Sequence, residues 1–196
     1  MIELINLYLN DLQNALNAVS KETVQQIAET LIDARDRGAC VFVFGNGGSA
    51  STASHWACDL AKGTLDEKDV AAGPPLRVVS LADNNALITA WANDLSYEDI
   101  FAEQLRSLAQ EGDVAVGVSA SGMSENVLRA ARLAKEIGCR VVGVTGFGGG
   151  ELARVSDIAF VVDSSDYGVV EDLHLTLNHI LRLILYMDRR KASCAE

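Results

Sequence analysis

The chain has 196 residues, of which 49% are hydrophobic and 22% charged, with a formal net charge of −11; that balance fits one globular domain with a full core and excludes a protein that coats nucleic acid with basic surface. Its four cysteines, Cys40, Cys58, Cys139 and Cys194, lie far apart without a Cys-x-x-Cys pair, which fits neither a zinc ribbon nor a disulfide scaffold and points to a reducing cytoplasm. The first residues lack a signal-peptide pattern, and no run reaches the ~20 apolar residues of a membrane span.

Apolar residues near helical spacing, Ile2, Ile5, Leu7, Leu9, Leu12, Leu16 and Val19, predict a first helix. Ser20 reads as the N-cap of a second, running to Arg37 with Gly38 as its stop. The pattern then becomes strand, turn, helix, repeated. A strand over 40–44 leads through Gly45-Asn-Gly-Gly-Ser49 into a helix over 49–61. A polar surface loop over 63–75 precedes a strand over 76–81. Helices are expected over 83–91 and 97–109, the latter opened by Ser96 with Asp99 three residues on, a capping-box pattern. A third strand over 113–118 enters Ser119-Ala-Ser-Gly-Met-Ser124 and a helix to Ile137; strands over 140–145 and 157–162 follow. The last helix, 169–190, is apolar on most sides and is expected to be buried, in part against another subunit. Continuous Val-rich runs between helices predict an α/β fold, a five-stranded parallel sheet sandwiched by helices. The chain reads as one domain, a helical pair over 1–38 and an α/β core over 39–196.

Gly45, Gly47 and Gly48 allow backbone N–H groups to approach a ligand closely, and they open a helix whose N-terminus favours negative charge. Ser49 can either cap that helix or bind a phosphate oxygen. His55 and Asp59 share the next face by their spacing of four. The plainer alternative is a tight turn with a capping serine and a surface His–Asp pair. A second turn offers Ser119, Ser121 and Ser124 without basic residues, which suits a phosphomonoester; its alternative is a serine-rich loop with Ser124 as a plain N-cap. The spacing matches neither G-x-G-x-x-G nor a P-loop. The histidines, His55, His174 and His179, all fall on the 49–61 helix or the last one, so His55, Asp59, His179 and an acid, Glu171 or Asp172, could meet one divalent ion. At ~100° per residue, Asp172 lies nearer the His179 face than Glu171 does.

Gly45-Asn-Gly-Gly-Ser49, His55-x-x-x-Asp59, Asn93-Asp94, Gly117-Val-Ser-Ala-Ser-Gly-Met-Ser124-x-Asn126-Val, Val144-Thr-Gly146 and Glu171-Asp-Leu-His174-x-x-x-x-His179-Ile-Leu occur in that order over nearly the whole chain. This set resembles the phosphoheptose isomerases, the sedoheptulose 7-phosphate isomerases of the sugar-isomerase (SIS) superfamily with its flavodoxin-like sheet. The resemblance implies isomerisation of sedoheptulose 7-phosphate to D-glycero-D-manno-heptose 7-phosphate through an enediol, in a cytoplasmic homotetramer with sites between subunits and with zinc. It implies metal ligands at His55, Asp59, Glu171 and His179, and proton shuttling by Asp59 and His179. It implies sugar-phosphate contacts from Asn46, Gly47, Gly48, Ser49, Asp59, Asn93, Asp94, Ser119, Ala120, Ser121, Ser124 and Glu171; the charge and the lack of a long apolar run argue against a direct nucleic-acid or membrane partner. This chain has Asp59 where the family has glutamate, Glu171 where it has glutamine, Ala120 and Met123 where its serine loop has threonine and asparagine, and Gly63 beside Lys62 where it has arginine. The alternatives are an isomerase of another sugar phosphate, a sugar-phosphate sensor, and a non-catalytic SIS tetramer of the initiator-associating type. A pure scaffold has no need for His55, Asp59, Glu171 and His179 together.

Overall fold

Five short runs rich in Val and Phe pair in parallel: β1 (Cys40–Gly45), β2 (Arg77–Ser80), β3 (Val114–Ser119), β4 (Arg140–Thr145) and β5 (Ile158–Val161), in the order β2-β1-β3-β4-β5. The computed structural model describes residues 1–65 and 74–193, so most of the expected 63–75 loop, and Cys194, lie outside the described residues. The crossover elements are α3 (Gly48–Lys62), α4 (Asn85–Asp94), a 3₁₀ turn (Tyr97–Asp99), α5 (Ala102–Leu108), α6 (Glu125–Ile137) and α7 (Gly150–Val155). Before them come α1 (Ile2–Asn17) and α2 (Lys21–Arg37), and after them α8 (Tyr167–Ser193).

Successive side chains of a strand face opposite sides, and both sides are covered here. Val41 and Val43 join Ile27, Leu31, Trp56, Leu60 and Leu177 in one core. Phe42 and Phe44 join Phe101, Leu105, Val127 and Leu152 in the other. The chain changes winding direction between β1 and β3, which are neighbours with Phe44 opposite Gly117 and Gly45 opposite Val118. That register sets the turns after the two strands side by side at the carboxyl edge of the sheet, where open α/β folds take ligands.

Local signals act largely as expected. The Ser20 hydroxyl accepts from Thr23 N–H at 3.1 Å to open α2, and Gly38 closes it at φ 70°. The expected 97–109 helix is instead the 3₁₀ turn followed by α5; Ser96 makes no side-chain cap bond, its hydroxyl donating to Asp99 at 2.6 Å, and Asp99 also receives Arg129 at 2.8 Å. The six-residue α7 had no expectation; its glycine-rich approach hides it. The expectation that α8 is buried on most sides holds for one face. Val169, Val170, Leu173, Leu177, Leu181 and Leu185 are buried, while Leu183 and Met187 are about half exposed. α1 buries only Ala15 and leaves Ile2, Leu4, Ile5, Leu7 and Leu9 in solvent. Among the described residues no helix is long and apolar enough to cross a membrane.

Candidate active site

The first turn is pressed against β3: a Cβ on Gly45 would lie 2.5 Å from the Val118 carbonyl oxygen. Gly47, at φ 54°, is the N-cap of α3, and no side chain caps that helix. Ser49 therefore does not spend its hydroxyl on the backbone, although it is buried. On the second turn Ser124 occupies the N-cap position of α6 without making the cap bond. Its hydroxyl lies 3.2 Å from that of Ser119 instead, so the plain-cap alternative does not describe how it is used. Asn46, Ser49, Ser119, Ala120, Ser121 and Ser124 line one cavity of about 150 Å³ with Tyr167 and Glu171. The two turns thus form one hydroxyl-rich recess with the start of α3 behind it.

Farther along α3, His55 and Asp59 meet His179 of α8. Asp59 Oδ2 lies 3.3 Å from His55 Nε2 and 3.7 Å from His179 Nε2, and the two rings stand edge to face with centroids 5.3 Å apart. One ligand atom from each residue falls within 4.8 Å of the others, a possible metal-binding group. Two imidazoles and a carboxylate are borderline donors that suit zinc in a site with an open position. All three side chains are partly exposed, so a small molecule can reach them.

Glu171 does not join that group. It stands two helical turns from His179, ~12 Å along the axis, and both its carboxylate oxygens would lie 2.7 Å from a Cβ on Gly48. It therefore overlies the first turn of α3, where the helix dipole favours a carboxylate. Asp172, nearer the His179 face by angle, accepts from Tyr8 of α1 at 2.6 Å. That hydrogen bond, with burial and the charge of Asp172 added, pushes the Tyr8 phenol up to about 12. Asn93 and Asp94 are exposed at the end of α4, bond each other at 2.9 Å, and do not line the cavity.

The SIS domain model matches residues 7–146. A phosphoheptose isomerase of Geotalea daltonii is 36% identical over 184 residues, 92% of this chain and 93% of that protein. The chain belongs to the phosphoheptose isomerase family. Solved phosphoheptose isomerases share its fold: that of Francisella tularensis has a TM-score of 0.86 at 29% identity, covering 95% of this chain and 98% of the other. That of Neisseria gonorrhoeae has a TM-score of 0.84 at 27% identity, with 94% and 95% covered.

Besides Tyr167 of the recess, three residues of this family member escaped assignment from sequence. Asn126 pairs with Asn46, and its place two residues after Ser124 in the second motif was the available signal. Tyr97 donates to the same Asn46 at 3.0 Å, from a turn read as ordinary helix. Asn178, completely buried, donates to Asp59 at 2.8 Å, and nothing local marks it.

Proposed function

We propose that the chain, one SIS domain over 1–196, converts sedoheptulose 7-phosphate to D-glycero-D-manno-heptose 7-phosphate in a cytoplasmic homotetramer. One observation carries the reading: α3 and α8 each bring a residue to the serine recess (Ser49, Glu171) and a residue to the His–Asp–His group (His55 and Asp59, His179). Six to ten residues of α3 and eight of α8 separate these ends, ~9–15 Å of helix. That separation suits a sugar whose reacting carbons lie several bonds from its phosphate.

In this reading the hydroxyls of Ser49, Ser119, Ser121 and Ser124, with the N–H groups opening α3 and α6, hold the phosphate. Asp59 takes the proton from C1 of the ketose while O2 gains one, which gives the enediol. A proton then returns at C2 as O1 loses its own, with His179 carrying protons at oxygen, and the atoms balance between ketose and aldose. His55, Asp59 and His179 would hold zinc, which when bound supplies polarisation of the carbonyl and stabilisation of enediolate charge. The exposed apolar face of α1 and the apolar groove where α1, α2 and α8 meet, lined by Leu16, Val24, Ile32, Ile180 and Ile184, support the tetramer. The free thiols of Cys40, Cys58 and Cys139 support a reducing compartment.

Zinc-loaded protein incubated with sedoheptulose 7-phosphate should produce the aldose, detected by NMR, and His179→Ala should lower kcat by ~10²–10⁴-fold. Absence of turnover with every divalent metal tried would overturn the reading.

A further inference from the structure

We propose that Asn178 is a positioning residue that divides the work of the two Asp59 oxygens; this rests on Asp59 acting in the proposed isomerisation. Asn178 is completely buried, and its Nδ2 donates to Asp59 Oδ2 at 2.8 Å. A carboxylate only accepts, so the amide must turn its nitrogen toward Asp59. Its other end is then stranded: among the described residues Asn178 Oδ1 is buried with no hydrogen-bond partner. A buried amide with one end unsatisfied is unfavourable, and leucine would fill the position without that cost. Packing therefore does not account for an asparagine here, whereas the bond to Asp59 does.

The bond fixes which oxygen does what. Oδ2 also faces His55 Nε2 at 3.3 Å and His179 Nε2 at 3.7 Å, so the amide holds it on the side of the two imidazoles. Asp59 Oδ1 accepts no hydrogen bond from the described residues and is left to take the substrate proton. The terminal torsion of an aspartate is broad, so without the amide the carboxylate plane would turn freely and would no longer hold one oxygen on the imidazoles and the other toward the substrate. Asn178 touches neither substrate nor metal and acts only through Asp59.

The test is Asn178→Leu, with Asn178→Ala beside it because alanine removes the donor without adding bulk. Both should lower kcat and weaken zinc binding, titrated against a competing chelator, by about 10–100-fold. KM should stay within about twofold, and the thermal midpoint of Asn178→Leu should equal or exceed that of the wild type. Wild-type kcat and zinc affinity in both variants would overturn the proposal, as would losses that only follow a lowered thermal midpoint. If the wild type itself shows no turnover, the isomerase reading fails, while the zinc titration still decides the role of Asn178.

Discussion

Asn46 and Asn126 hold each other by two reciprocal amide bonds, each donating its Nδ2 to the other's Oδ1 at 2.8 Å. The pair ties the turn after β1 to the first turn of α6, so it sets the width of the recess between the two turns. Asn126 Oδ1 also accepts the Val127 N–H at 2.9 Å. Asn126→Leu should therefore cost about 1–3 kcal/mol in urea unfolding, since it strands Val127 N–H and one side of Asn46. Steady-state kinetics should show KM for the sugar phosphate rising about tenfold, ~1.4 kcal/mol of binding, with kcat changed less.

Gly122 has φ 66°, and a Cβ there would lie 2.2 Å from the Gly149 carbonyl oxygen. Backbone conformation and space both exclude a side chain, so Gly122→Ala should cost about 2–4 kcal/mol and lower the thermal midpoint by roughly 5–15 °C. Gly148 is the control: it has φ 76° but nothing within 4 Å of a Cβ. Gly148→Ala should cost only the left-handed strain, about 1–2 kcal/mol.

Leu4 and Leu7 of α1 are 71% and 58% exposed in the single chain. Replacing both with glutamate should break the proposed tetramer, seen as a lower mass in sedimentation velocity. Far-UV circular dichroism should stay native, because α1 buries only Ala15 within its own chain.

Glu171 places a carboxylate beside the hydroxyls proposed to hold a phosphate dianion. Unit like charges ~4 Å apart repel by ~1 kcal/mol even at the dielectric of bulk water. Glu171→Gln should accordingly tighten inorganic phosphate binding by about three- to tenfold in calorimetry, with the difference shrinking as salt is raised.

Burial lowers the His174 imidazole to about 4 from its ordinary 6.5. The unfolded chain then takes up a proton that the native chain refuses between those values. The stability is fully present above pH 6.5 and is lost as pH falls toward about 4, by up to roughly 3 kcal/mol. Urea midpoints measured across this window should fall less steeply with acid in His174→Leu than in the wild type.

The elements were legible because their signals are local. Ser20 and Gly38 bracket α2 by their own hydrogen bonding and backbone freedom, the β strands announce themselves by Val-rich runs, and the turns after β1 and β3 follow from glycine and serine placed after a strand. Ser96 shows where local reading ends. It matches a capping pattern, yet its hydroxyl goes to the Asp99 carboxylate, whose other oxygen receives Arg129 from thirty residues farther along the chain.

The site divides in the same way. His55 and Asp59 are neighbours by helical spacing, and the sequence alone determined that, together with the family and the α/β order. Which residues of α8 reach them was decided only by the tertiary fold. Angular arithmetic favours Asp172 beside His179, but Asp172 meets Tyr8, Glu171 overlies Gly48, and Asn178 reaches Asp59. Periodicity gives the angles between residues within a helix; it does not set how the helix is rotated about its axis or which neighbour it packs on. Burial of Leu173, Leu177, Leu181 and Leu185 against the sheet and α3 sets that rotation, and with it the face that α8 presents to Asp59.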